Sequence, residues 1–327
     1  MQKEDLRIIY MGTPDFAVAP LKALVEGGYR VVAVITMPDK PVGRHQSVLT
    51  ASPVKQFAVA NNLPVLQPTS LKDPGFLEEL ATYEADLQIV VAFRMLPQVV
   101  WDMPRLGTFN LHASLLPNYR GAAPINWAII RGETVTGLTT FFLDKDIDTG
   151  AVIRREEVEI LPTDNAGSLH DKLMVKGATL VCQTVDDILA DRAERVPQAE
   201  LTDSPMNPAP KLFKENCVIR WEDTTKNVNN FVRGLSPYPA ARTTLVHGEG
   251  RLEMKVYEAE ILPASSMVAP LPAPGTVETD GKTFLHVATS DGMVALHRLQ
   301  PAGKRPMSVA DFLRGFHHAG GSHFEGI

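Results

Sequence analysis

The chain has 327 residues, a length that favours two domains. Hydrophobic residues make up 44% and charged residues 21%, and this composition excludes an intrinsically disordered protein. Its formal net charge of −6 argues against a broadly basic surface, although residues 205–327 carry 13 basic and 12 acidic side chains and leave a local basic patch open. Two cysteines are too few for a disulfide framework and no apolar run approaches the roughly 18 residues of a membrane span, so a cytoplasmic protein is expected.

In chain order, residues 1–201 alternate β-rich runs with helical patterns, as parallel βαβ units do. The polar residues Met1–Asp5 lead directly into the first predicted strand, so no signal or transit peptide is expected. We predict an α/β domain over residues 1–201 with a doubly wound, mostly parallel sheet. Its predicted strands are Leu6–Met11, Val31–Thr36, Leu87–Ala92, Thr108–His112, Leu138–Leu143 and Val152–Ile160, and its predicted helices are Asp15–Glu26, Phe76–Tyr83 and Asp164–Leu189. Asp73 and Pro74 are the predicted N-cap and helix-starting proline of the second helix.

Residues 202–210 contain three prolines and predict a semi-rigid, extended linker. Beyond it, residues 211–327 change to short alternating runs that are separated by turn signals, with one helix near Thr225–Leu235. This pattern predicts a small β-barrel of the oligonucleotide-binding type. Its predicted strands are Val218–Trp221, Thr243–Val246, Leu252–Ile261, Phe284–Ala288 and Met293–Leu299.

Two kinds of cofactor site are disfavoured by the residues at the expected positions. Gly12-Thr13-Pro14-Asp15 follows the first strand but lacks the later glycines of a dinucleotide fingerprint, so no nucleotide cofactor is expected. The alternating acids of residues 144–148 place Thr149 and Arg155 where a calcium loop needs glycine and glutamate. His317, His318 and His323 lie in a Gly-rich tail without a metal-ligand spacing, so no metal is expected.

The period of a strand places Asn110 and His112 on one face of the predicted strand Thr108–His112. Polar side chains near the carboxyl end of an α/β strand lie where such folds bind ligands. An amide donor beside an imidazole suits an oxygen that becomes negative during attack on a carbonyl. The alternative is a structural role, in which Asn110 and His112 hydrogen-bond to the backbone of a loop at the end of the strand. The residues alone support the functional and the structural interpretation about equally.

A carboxylate beside His112 would fix its tautomer and favour its charged form. Asp148 is the candidate, but the spacing alone does not show whether it reaches the ring. A serine hydrolase with Ser114 as nucleophile is a rival hypothesis. It is disfavoured because His112 and Leu116 occupy the two glycine positions of the G-x-S-x-G elbow.

The segment Asn110-Leu-His112-Ala-Ser-Leu-Leu-Pro117-Asn-Tyr-Arg120-Gly-Ala-Ala-Pro124, with Asp148-Thr-Gly150 downstream, resembles the folate-dependent formyltransferases. Within that superfamily it is most similar to the branch that formylates methionyl-tRNA. The resemblance spans almost the whole chain. It continues at Gly12-Thr-Pro-Asp-Phe16, Pro38-Asp-Lys-Pro-Val-Gly-Arg44, Ser52-Pro-Val-Lys55, Lys211-Leu-Phe-Lys214 and Leu299-Gln-Pro-Ala-Gly-Lys304.

The resemblance implies direct formyl transfer from the co-substrate 10-formyltetrahydrofolate to the α-amine of methionine on initiator tRNA, for translation initiation. Asn110 and protonated His112 would stabilise the oxyanion, and Asp148 would orient His112 and help remove the amine's proton. A monomer without a membrane partner is expected. The implied folate contacts are Ser114, Leu115, Leu116 and Pro117, and the implied tRNA contacts are Arg44, Lys304 and Arg305.

One departure from the family pattern lies in Ala92-Phe-Arg94-Met-Leu-Pro97, where the family has one more residue and a glycine in place of Arg94. The corresponding loop lines the pterin pocket in relatives. Two other functions stay open at this point. An amino sugar nucleotide or glycinamide ribonucleotide could be the formyl acceptor, which the insertion loop and the second domain disfavour. A catalytically silent RNA-binding protein is disfavoured by the presence of Asn110, His112 and Asp148.

Overall fold

The structure is a computed structural model that describes residues 2–42, 48–202, 206–263, 270–316 and 321–326. Internal contacts divide the chain into two compact units. The first unit comprises Met1–Gly121, Val135–Glu159 and His170–Pro208, and the second comprises Ala122–Thr134, Ile160–Leu169 and Ala209–Ile327. Two segments that precede the predicted linker, Ala122–Thr134 and Ile160–Leu169, thus group with the second unit.

A single large sheet organises the first unit, with its strands in the order β5-β2-β1-β6-β7-β8-β9. The first five of these are mutually parallel, whereas β8 runs antiparallel to both of its neighbours, β7 and β9. The prediction of a mostly parallel, doubly wound sheet is confirmed. The strands are β1 (Ile8–Gly12), β2 (Val31–Ile35), β5 (Val65–Leu66), β6 (Leu87–Val91), β7 (Thr108–His112), β8 (Val135–Phe142) and β9 (Val152–Glu159); β3 (Lys40–Val42) and β4 (Val48–Thr50) form a separate hairpin.

Burial explains the central strands of this sheet. Every residue of β1 and β6 is buried, as expected of strands that are covered on both faces. The helix at residues 74–82 begins as the sequence predicts, because the Asp73 carboxylate accepts a hydrogen bond from the Phe76 amide at 2.9 Å and Pro74 occupies the first turn. The helices with residues in this unit are α1 (Val18–Glu26), α2 (Pro53–Ala60), α3 (Pro74–Thr82), α4 (Gln98–Trp101) and most of α6 (Ala166–Leu189).

The second unit is built around an antiparallel sheet in the order β12-β13-β14-β11-β10-β16, with β15 paired to β14. An antiparallel bridge between Thr276 and His323 connects the two ends of this order, so the sheet is nearly closed, and the predicted barrel is confirmed. Its elements are α5 (Pro124–Ile130), α7 (Thr225–Leu235), β10 (Ala241–His247), β11 (Gly250–Ile261), β12 (Val277–Thr279), β13 (Leu285–Ala288), β14 (Met293–Pro301), β15 (Met307–Ser308), α8 (Val309–Arg314) and β16 (His323–Glu325).

One predicted strand is wrong. Residues 218–221 do not form a strand, because only Val218 makes a bridge, to Arg242, and the chain then turns back as the Asp223 amide bonds the Arg220 carbonyl. Trp221 instead lies in the core of the unit, where its indole donates to the Thr243 hydroxyl at 2.9 Å. Burial of the large Trp221 side chain, with its indole nitrogen hydrogen-bonded, therefore determines the local structure here rather than strand pairing.

The described part of the predicted linker is held by hydrogen bonds. The Asn207 carbonyl accepts from the Tyr119 amide at 2.6 Å, and the Asn207 amide donates to the Asn118 side chain at 2.8 Å. Residues 203–205 lie outside the described residues. Of the helices described, none has both the length and the apolar character of a membrane span.

Candidate active site

Strand β7 presents the two polar residues that the sequence singled out. It lies between β6 and β8, with Asn110 opposite Val90 on one side and Phe141 on the other. Phe109 and Leu111 are buried, whereas Asn110 stays partly accessible at the alternate position. The strand prediction is confirmed residue for residue, and it places Asn110 and His112 on the same face.

His112 is 7% exposed and lies between two hydrogen-bond acceptors. Its Nε2 hydrogen donates to the Tyr119 carbonyl at 2.9 Å, since a carbonyl can only accept. Its Nδ1 lies 4.0 Å from Oδ2 of Asp148. Both ring nitrogens therefore face oxygen atoms, Nε2 a backbone carbonyl and Nδ1 a carboxylate.

Asp148 lies in the connection between β8 and β9 and has a left-handed backbone conformation, with φ of 56°. Its Oδ2, which faces His112, also accepts a hydrogen bond from the Gly121 amide at 3.0 Å. Two residues on, a side chain at Gly150 would collide with the Phe142 carbonyl oxygen, so the turn requires glycine there. The question that spacing left open is thereby answered: the structure brings Asp148 to His112.

A side chain that no sequence pattern singles out holds this turn. Gln198 donates from Nε2 to the Asp148 and Gly150 carbonyls, each at 2.9 Å. Its Oε1 accepts from Arg120, from Nε at 3.0 Å and from Nη2 at 2.6 Å. No residue pattern connects position 198 to position 148, so only the tertiary structure reveals the contact.

The segment Ser114–Pro117 forms a packed turn beside β7. The Ser114 hydroxyl is 0% exposed and donates to the Asn118 carbonyl at 2.6 Å. It is therefore committed to backbone rather than to His112, which counts against a hydrolase nucleophile. Leu116 is likewise fully buried, and its amide bonds the Thr139 hydroxyl at 3.0 Å. Of the four predicted folate contacts, Leu115 is the one with a partly accessible side chain.

Among the described residues, five buried side-chain atoms without a hydrogen-bond partner belong to β1, β6, β7 or β8 or to the residues that follow these strands. Two are Gln88 Nε2 on β6 and Thr136 Oγ1 on β8, and the other three are Thr13 Oγ1 after β1, Arg94 Nε after β6 and Asn110 Oδ1 on β7. The strands β1, β6 and β7 are parallel, and β6 lies between the other two. Thr13 and Arg94 therefore follow the carboxyl ends of β1 and β6 at the same edge of the sheet as the carboxyl end of β7, which carries Asn110. Buried polar atoms are usually paired, so unpaired ones at a ligand-binding edge indicate a polar molecule there.

Arg94 stands where the resemblance predicts a glycine, and its guanidinium holds two loops together. Nη1 donates to the Thr69 carbonyl at 2.8 Å and Nη2 to the Pro68 carbonyl at 2.5 Å. Burial lowers the pKa of Arg94 below its usual value. Ala92 begins the loop in the left-handed region, with φ of 47°. The shorter loop is therefore anchored by a side chain.

The predicted tRNA contacts are only partly described. Arg44 lies outside the described residues, as do His317 and His318. Lys304 and Arg305 are exposed in the connection between β14 and β15 of the second unit, where the Lys304 amide bonds the Pro301 carbonyl. Within the described residues, no group of three or more His, Cys, Asp or Glu side chains is placed to hold a metal ion.

Comparisons with known proteins identify the family of the chain. Residues 6–185 match the family described as Formyl transferase, and residues 211–317 match Formyl transferase, C-terminal domain. The methionyl-tRNA formyltransferase of Parabacteroides distasonis is 59% identical over 319 residues, and that of Bacteroides fragilis is 57% identical over 319 residues; each match covers 97% of both chains.

Solved structures share the fold at low identity. A sugar 3N-formyl transferase crystallised in the presence of dTDP and 5-N-formyl-THF superposes with a TM-score of 0.64 at 17% identity, covering 92% of this chain and 99% of that one. HypX from Aquifex aeolicus in complex with tetrahydrofolic acid gives 0.61 at 20% identity, covering 94% of this chain and 47% of that one.

Proposed function

The chain belongs to the formyl transferase family, and we propose that Asn110, His112 and Asp148 form the site at which it formylates methionyl-tRNA. It is a formyl-transferring enzyme, and its acceptor is methionyl-tRNA, as the names of the relatives that match nearly its whole length state. The observation that carries the assignment of the site is the 4.0 Å approach of Asp148 to His112 on the strand that also presents Asn110.

The proposed reaction needs a general base and a site for negative charge. The α-amine of methionine attacks the formyl carbon, and negative charge develops on the formyl oxygen. The Asn110 amide and the protonated His112 ring stabilise that oxygen, a kind of contact that contributes several kcal/mol. Asp148 accepts the amine's proton, directly or through water, and returns it to the donor nitrogen as the bond from the formyl carbon to that nitrogen breaks. Protons therefore balance without an external acid.

A folate co-substrate is supported by relatives whose structures hold folates, and we propose that 10-formyltetrahydrofolate is the donor. The unpaired atoms of Thr13, Arg94 and Asn110 offer hydrogen-bonding positions for a polar ring system at the carboxyl edge of the sheet. The turn Ser114–Pro117 would shape the wall of that pocket, with its packed backbone and Leu115 in contact with the donor. Direct transfer between two amines requires neither a metal nor a nucleotide cofactor.

For the acceptor, we propose that the second unit binds initiator tRNA. Lys304 and Arg305 are exposed cations on one connection of that unit and would contact phosphates there. Arg44, which belongs to the first unit, is the third proposed tRNA contact. Formylation of an initiator tRNA for translation also implies a cytoplasmic enzyme. We expect it to act as a monomer, because the proposed catalytic residues Asn110, His112 and Asp148 all belong to the same unit.

The discriminating experiment is a panel of formyl acceptors with 10-formyltetrahydrofolate that is radiolabelled in the formyl group. Charged initiator tRNA, charged elongator methionyl-tRNA, an amino sugar nucleotide and glycinamide ribonucleotide are each offered at equal concentration. We expect label to enter methionyl-tRNA and neither small acceptor. Label in a small acceptor alone would overturn the proposal, and label in none would support a catalytically silent RNA-binding protein.

A further inference from the structure

Gln198 uses the full hydrogen-bonding capacity of its amide inside the first unit. The side chain is 4% exposed, and its two N–H bonds and its oxygen are all engaged, by the Asp148 and Gly150 carbonyls and by Arg120. An amide that donates two bonds and accepts two from an arginine has one defined orientation. Gln198 is therefore a rigid connection between the two segments that it contacts.

Those two segments are the ones that hold the proposed catalytic pair. Arg120 lies between Tyr119, whose carbonyl accepts from His112, and Gly121, whose amide donates to Asp148. On the other side, Gln198 holds the backbone of Asp148 itself. The positions of the ring and of the carboxylate thus both depend on the contact between Gln198 and Arg120.

The backbone of Asp148 needs such support. Its φ of 56° is an uncommon conformation for a residue with a side chain, and it persists only where surrounding contacts define it. The Asp148 carbonyl receives its hydrogen bond from Gln198, and the glycine two residues later permits the close approach to Phe142. Without the amide, the turn loses the bonds that select this conformation.

We infer that Gln198, oriented by Arg120, is a positioning residue that sets the direction of the Asp148 carboxylate toward His112. The inference rests on the proposed function, because it assigns Gln198 a role in the same formyl transfer. Gln198 touches neither the substrates nor the reacting atoms in this scheme. Its effect on catalysis passes through Asp148, as the outer partners of catalytic and metal-binding groups act elsewhere.

The test compares Gln198→Leu, which removes all four hydrogen bonds at similar volume, with Gln198→Glu, which keeps acceptors for Arg120 but loses the donors to Asp148 and Gly150. We expect kcat to fall about 10- to 100-fold in both variants. KM for methionyl-tRNA and for the donor should change by less than about twofold, because neither substrate is contacted. The ¹⁵N shifts of the His112 ring should change in both variants, which a role in folding alone does not predict.

Gln88→Leu is the matched control. Gln88 is also a fully buried glutamine of the first unit, and it accepts a bond from Thr108, the first residue of β7. It contacts no member of the proposed site, so this variant should lose stability without a selective loss of kcat or a change in the His112 signals. Gln198→Glu keeps the test decisive if Gln198→Leu does not fold.

The outcomes separate the inference from the proposed function. A folded Gln198→Glu variant with wild-type kcat and unchanged His112 shifts, alongside an inactive His112→Ala variant, would overturn the inference and leave the function intact. Wild-type kcat in His112→Ala would overturn the proposed site and the inference with it. Loss of kcat in Gln198→Glu with unchanged KM values would support both.

Discussion

His112 Nδ1 and Asp148 Oδ2 lie 4.0 Å apart, which is within reach of an ion pair but longer than a hydrogen bond. The same carboxylate oxygen accepts from the Gly121 amide at 3.0 Å, so the backbone, rather than the imidazole, fixes it. Catalytic hydrogen bonds are often long before substrates bind and shorten in the reacting complex. Small displacements of the Asp148 turn should therefore affect the rate strongly.

Gly150→Ala displaces that turn directly. The added methyl group would collide with the Phe142 carbonyl oxygen, so the backbone that carries Asp148 must move. Misplacement of a catalytic group by about 1 Å can cost roughly 100-fold in rate, and we expect a loss of that order in kcat. Gly315→Ala is the control, because its nearest atom beyond its neighbours is the Phe312 carbonyl oxygen at 4.0 Å. Equal kcat values for the two variants would contradict the role of the turn.

Arg94→Ala should weaken binding of the folate donor. The guanidinium anchors the loop after β6 to the Pro68 and Thr69 carbonyls, and its loss frees one wall of the proposed pocket. We expect KM for 10-formyltetrahydrofolate to rise by about 10-fold, the equivalent of roughly one lost hydrogen bond. KM for methionyl-tRNA should stay unchanged.

Arg105→Ala is the comparison for Arg94, since Arg105 belongs to the same unit and bonds the Asp86 carboxylate at 2.6 Å. Steady-state kinetics with each substrate varied in turn distinguishes the two variants. A similar change in donor KM for both would show that Arg94 has no specific role in the pocket.

Charge removal at Lys304 and Arg305 should weaken tRNA binding and flatten its salt dependence. Each phosphate contact releases counterions, so the double variant to alanine should reduce the slope of log affinity against log salt by about one to two. Lys282→Ala provides the control, because Lys282 is an exposed cation of the same unit in the turn at residues 280–283. Filter binding across a salt series gives the slopes, and equal slopes for both variants would exclude these two contacts.

We expect Asp187→Asn, a substitution away from the proposed site, to lower the free energy of unfolding in a pH-dependent way. The hydrogen bond from Arg154 lowers the pKa of Asp187, so the folded chain binds fewer protons than the unfolded chain in acid. The stabilisation is present above the usual Asp pKa of about 3.9 and is lost as the pH falls through the lowered value. We expect the variant to be less stable by roughly 0.5–1 kcal/mol at pH 7, with the difference shrinking at pH 3 in urea unfolding. A difference that grew in acid would contradict the assigned cause.

Elements that depend on their own residue pattern and on helix caps could be predicted from the sequence. Strand β7 and helix α7 have the predicted bounds, and Asp73 caps α3 as expected. The same signal, Ser52 followed by Pro53, marks the start of α2, where the Ser52 hydroxyl accepts from the Lys55 amide at 3.1 Å. Helix α2 was thus predictable from the sequence, although it was not among the predicted elements.

Other features depend on tertiary contacts. Strands β5 and β15 have two residues each and exist through pairing with β2 and β14 rather than through their own propensity. For the site, the period of a strand was enough to pair Asn110 with His112. The approach of Asp148 and the support from Gln198 depend on how distant turns fold together, which neither spacing nor residue type encodes.

The most direct test of the proposed site is the single-turnover rate of formyl transfer to methionyl-tRNA in wild type, His112→Ala, Asp148→Asn and the double variant. Oxyanion stabilisation and proton transfer each contribute roughly 100- to 1000-fold, so each single variant should slow by about that factor. Groups that act as a unit are non-additive, so the double variant should be only a few-fold slower than the slower single variant. A folded single variant with wild-type rate, or losses that multiply fully in the double variant, would contradict the joint action of His112 and Asp148.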